Sequence, residues 1–127
     1  MNNLRPEDIE IYLAATPASE VLAWLAQRFP THEPARPAGK RQWKQVLHYQ
    51  GTDLPVLVIE GASPGFTSIW FNSPATPWAS DRDCALEAFA HFQREVRATA
   101  GSWQEDADPD QWWCLSAAGE STIIWPA

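Results

Sequence analysis

Cysteine occurs twice and methionine once in 127 residues. Two thiols with no C-x-x-C spacing and no export signal point to free cysteines in a reducing compartment and not to a disulfide framework. A glycine-rich phosphate loop, an H-E-x-x-H pair and a basic recognition helix are all missing, so nothing in the chain calls for a cofactor or a structural metal. No apolar run approaches the ~18–20 residues that span a bilayer. The opening MNNLRPEDIEIYLA also lacks the charged-then-apolar pattern of a secretory signal. A cytoplasmic location is the expectation. Basic side chains are scarce as well: 9 Lys and Arg face 16 Asp and Glu, the formal charge is −7, and no Lys or Arg follows Arg97. Such a balance disfavours nucleic acid and anionic membrane and suits a protein with a basic surface.

What the chain does have is tryptophan. Eight indoles, each able to bury on the order of 150–250 Å², sit in a sequence that is 45% hydrophobic and 20% charged. That is ample core material for one domain spanning residues 1–127. Four of the nine basic residues, Arg36, Lys40, Arg41 and Lys44, fall in one short stretch.

Pro6, Glu7 and Asp8 have the form of a helix start, followed by Ile9, Tyr12 and Leu13. Thr16 then reads as an N-cap and Pro17 as the first residue of a second helix, with Val21, Leu22, Leu25 and Phe29 at helical spacing. An N-terminal helical pair over roughly 6–29 is therefore expected. The proline-rich 30–39 reads as an irregular connector. QWKQVLHYQ (42–50), LPVLVIE (54–60) and FTSIWFN (66–72) read as three strands joined by turns at Gly51 and at 61–65. Ser80 or Asp81 caps a long helix whose apolar face is Cys84, Ala85, Ala88, Phe89, Phe92, Val96 and Ala100, with Gly101 ending it. QWWCLSA (111–117) and STIIWP (121–126) form a terminal hairpin. The expected fold is α+β: a five-stranded, largely antiparallel sheet with the helical pair and the long helix packed on one face.

Several constellations invite chemistry. Gly61-Ala62-Ser63-Pro64-Gly65 satisfies G-x-S-x-G, but a strand and not a helix follows it, and Pro64 has no N–H for an oxyanion. Cys84 and His91 share a helix but stand roughly 10 Å apart along its axis, too far for a thiolate–imidazole pair. Glu87, His91 and Glu95 fall at i, i+4 and i+8, a spacing that could hold a divalent metal or simply form a solvated flank. Asp106, Asp108 and Asp110 imitate the start of an EF-hand loop, yet Gln111 replaces the required glycine and Ala117 the bidentate glutamate.

The densest unexplained feature is GSWQEDADPDQWWCL (101–115). Trp103, Glu105, Asp106, Asp108, Asp110 and Trp112 combine indoles with carboxylates, and Trp70 and Trp78 are further candidates for the same surface. Aromatic anchors ringed by acids suit docking of a basic protein, giving burial together with electrostatic steering. The function expected is a small acidic binding domain without catalytic activity, of the inhibitor, immunity or antitoxin kind. The alternative is a domain, an enzyme among its forms, that binds a small molecule or divalent metal on the Trp/acid surface. A third reading is a mainly structural subunit or homodimer with a symmetric apolar interface.

Overall fold

The computed structural model describes residues 8–99 and 111–125. Ten elements follow one another: β1 (Ile9–Ala14), α1 (Ala18–Arg28), β2 (Arg36–Gly39), β3 (Gln42–Tyr49), β4 (Thr52–Ser63), β5 (Phe66–Phe71), α2 (Asp81–Phe92), β6 (Val96–Thr99), β7 (Gln111–Ser116) and β8 (Gly119–Ile124). The strands form a single eight-stranded sheet in the order β2-β3-β4-β5-β1-β6-β7-β8, with every neighbouring pair antiparallel. This corrects the expected five-stranded sheet with its helical pair. Among the described residues the fold is α+β with eight strands and two helices.

Three local readings account for the difference. IEIYLA is a strand and not a helix, because Ile9, Ile11 and Leu13 alternate with Glu10, Tyr12 and Ala14 and bury every second side chain. It fills the slot between β5 and β6 near the middle of the sheet. The long helix stops at Phe92, where Gln93 turns left-handed with φ 58°. Val96 and Ala98 then enter β6 and bury at strand period. Part of the proline-rich connector, Arg36–Gly39, pairs with β3 as an edge strand, the position where proline costs no ladder bond.

Helix α1 begins one residue later than expected. Pro17 is its N-cap, since the Thr16 hydroxyl donates to the Ala14 carbonyl at 2.9 Å. The Ala18 N–H is met instead by Glu60 Oε2 of β4 at 2.9 Å, a cap supplied from 42 residues away. Helix α2 is capped as expected, with Ser80 Oγ accepting the Asp83 N–H at 3.2 Å. Both helices lie on one face of the sheet. Val21, Trp24 and Leu25 of α1 and Cys84, Ala85 and Ala88 of α2 join Ile11, Val58, Ile69 and Phe71 in one core. Glu87 ties the layer together, accepting from Arg28 Nε at 2.6 Å and from the Trp78 indole at 3.1 Å. None of the helices among the described residues is long and apolar enough to cross a membrane.

Candidate functional site

With both helices on one face, side-chain alternation along the strands delivers a second set of residues to the other. Trp70 of β5, Tyr12 of β1, Arg97 of β6 and Trp112 of β7 all stand on this open face, each half-buried. Trp112 and Trp113 point to opposite sides, as neighbours on a strand must. Trp113, 8% exposed, faces the helix layer and donates its indole N–H to Glu120 at 2.9 Å.

The centre of the open face is an aromatic cluster. The Tyr12, Trp112 and Trp125 rings meet edge to face with centroids 5.0–5.4 Å apart, and Phe66 lies 4.9 Å from Trp125. The Arg97 guanidinium stacks 4.6 Å from Phe66 and 4.5 Å from Trp125, and donates to Glu95 at 2.8 Å. Cys114 donates its thiol to the same carboxylate at 3.0 Å. Burial would raise the Glu95 pKa, but the Cys114 thiol and Arg97 outweigh it and hold Glu95 below its ordinary value. Burial and the Glu95 carboxylate together push the Cys114 thiol up. Cys84, fully buried in the core near Glu87 and Asp81, is raised well above the usual thiol range. Both shifts favour the thiol over the thiolate.

At the start of β1 three carboxylates crowd together. The Trp70 indole donates to Asp8 Oδ2 at 2.7 Å, and Asp81 Oδ1 accepts the Glu10 N–H at 3.3 Å. Burial, then Asp8 and Asp81, raise the pKa of Glu10. Burial and Glu10 do the same to Tyr12. β6 leaves and β7 re-enters the sheet at this same end, the register running from Tyr12↔Arg97 to Thr99↔Trp112.

Next to Trp70, towards the β2 edge, lies a pocket of about 440 Å³. Apolar walls come from Val46, Pro55, Leu57 and the Trp70 ring, with Arg36 and Lys44 at its border.

No known protein family, characterised protein or solved structure matches the chain. The site therefore rests on its own geometry.

Of the residues singled out in the sequence, Trp70 and Trp112 share the open face. Trp78 does not reach a surface: it is 4% exposed and packed against Trp24, Phe29 and Phe71. Trp103, Glu105, Asp106, Asp108 and Asp110 lie outside the described residues, as does most of the EF-hand-like stretch. The Glu87–His91–Glu95 ridge does not form, because the helix ends before Glu95 and Glu87 is engaged by Arg28 and Trp78. Among the described residues no three His, Cys, Asp or Glu side chains converge as metal ligands. Ser63 sits at the end of β4 with Gly65 (φ 82°) turning the chain into β5, which is strand–turn–strand and no nucleophile elbow. Sequence reasoning missed Tyr12, Phe66, Arg97 and Trp125, and placed Glu95 on a helical ridge instead of beside Arg97 and Cys114. The missed signal was the alternation of Ile9, Ile11 and Leu13, which places Tyr12 opposite the core.

Proposed function

We propose that this chain is a small cytoplasmic binding domain, not an enzyme, whose open sheet face docks a protein with a basic surface, in the manner of inhibitor, immunity or antitoxin proteins. The observation that carries this reading is the shared placement of Trp70 and Trp112 on the face that neither helix covers, with Arg97 and Tyr12 between them. Half-buried aromatics and arginine are the side chains that anchor protein interfaces: the rings bring large contact area at little conformational cost, and the guanidinium brings directed donors. The charge of the partner follows from the formal charge of −7 and from the crowded carboxylates of Asp8, Glu10 and Asp81, whose mutual repulsion an incoming cation would relieve.

The test is affinity capture with the purified chain, comparing three forms whose melting points have first been matched. Wild type should retain a protein of basic surface that is released by salt. A Trp70→Ala/Trp112→Ala form should lose it, and an Asp106→Asn/Asp108→Asn/Asp110→Asn form should hold it at least several-fold more weakly. Equal retention by all three forms would sink the proposal. The pocket beside Trp70 favours a second reading, small-molecule binding on the same face, with Trp70 as a wall.

A further inference from the structure

The β2–β3 edge carries a charge arrangement unlike that of the arginines elsewhere among the described residues. Arg28, Arg41, Arg82, Arg94 and Arg97 are each ion-paired with a glutamate. Arg36 has no such partner among the described residues. It stands directly across the strand pair from Lys44, which has none either. Like charges placed opposite each other on neighbouring strands repel. In a chain with 16 acids to 9 bases, carboxylates to relieve them are plentiful. Glu33 lines the same pocket, yet its carboxylate is turned to His48 at 3.9 Å.

The pocket these two cations border is wide enough for a drug-sized molecule and is walled by Val46, Pro55, Leu57 and Trp70. The Trp70 indole N–H is already satisfied by Asp8, so the ring offers the pocket its π-surface. Gln45 belongs to the same lining. Paired with buried Val56, it turns its side chain to the helix-layer side of β3, where its Nε2 donates to the Glu33 carbonyl at 2.9 Å and fixes the segment that borders the pocket.

We propose that this pocket binds a small organic anion: a planar apolar body against Trp70 and Leu57, with a carboxylate or phosphate head between Arg36 and Lys44. Inorganic phosphate alone would leave the apolar walls unfilled. The inference rests on the small-molecule reading of this pocket and names its ligand class; it shares Trp70 with the protein-docking reading but depends on two cations that a basic partner would avoid.

Calorimetric titration with 2-naphthoate, 2-naphthyl phosphate and neutral 2-naphthamide tests it, with amide NMR shifts to locate the site. Saturable one-to-one binding of at least one anion is expected, at least about tenfold tighter than the amide, with shifts centred on β3–β5. Preference between the two anions distinguishes a carboxylate from a phosphate ligand. Arg36→Gln/Lys44→Gln should weaken the anion about tenfold or more, and Lys40→Gln, outside the pocket lining, should not. Equal binding of the amide, full retention by Arg36→Gln/Lys44→Gln, shifts elsewhere, or no saturation at millimolar concentration would each overturn the proposal. Retention of a basic protein partner by Arg36→Gln/Lys44→Gln is expected to be undiminished, which separates failure of this inference from failure of the docking reading.

Discussion

Glu10 shows how much a single side chain on the open face is under tension. Burial first, then the neighbouring Asp8 and Asp81, raise its pKa in the folded chain. A carboxyl raised on folding stabilises the native state in full below the ordinary value of about 4.5 and loses that contribution as pH rises through the folded value. Ionised Glu10 is therefore a burden at neutral pH. The Glu10→Gln form is expected to melt above wild type at pH 7, with the gap closing as the pH falls towards 4.5. A constant gap in a melting series across that range would contradict the assignment. Glu60 runs the other way: its bond from the Ala18 N–H, helped by Arg41, lowers its pKa and makes it the cap of α1. No local pattern in the sequence announces a cap supplied from a distant strand, whereas Ser80, three residues before the N–H it accepts, was legible directly.

At the level of elements, two of the three misread segments, Ile9–Ala14 and the end of α2, have a common cause. IEIYLA supports helix and strand periods over so few residues that neither wins locally, and the Pro6-Glu7-Asp8 start signal favours the helix. The sheet decides, because only a strand there can pair with both β5 and β6. The end of α2 is decided by Gln93, whose left-handed backbone lets the chain turn back so that Val96 and Ala98 bury in β6. A non-glycine residue in that region is strained. Replacing Gln93 with glycine should raise stability by about 0.5–1 kcal/mol, offset in part by loss of its exposed side-chain bond to the Ala90 carbonyl. Denaturant melts at matched pH would check the sign; a clear loss of stability would mean that the side-chain bond dominates.

The molecule as a whole is a broad antiparallel sheet with helices on one side and an aromatic, charge-studded face on the other. Its centre and its edges differ in kind. β5 and β1 are paired on both sides and buried over the helices, whereas β2 and β8 hold one neighbour each and are largely exposed. Native-state hydrogen exchange is expected to be slowest in β1 and β5 and orders of magnitude faster in β8. Comparable protection in β8 would indicate that something covers that edge in solution. By itself the sequence determined the hairpin strands from Gln42 to Phe71, the Ser80 start of α2, the terminal hairpin after Gln111, and the opposite facing of Trp112 and Trp113. Those features follow from residues within a few positions of one another. The tertiary structure alone decided that Ile9–Ala14 is a central strand, that Trp78 is core, and that Tyr12, Phe66, Arg97, Trp112 and Trp125 meet on one face. Each of these depends on which distant strand lies alongside, and pairing across dozens of residues leaves no local mark in the chain.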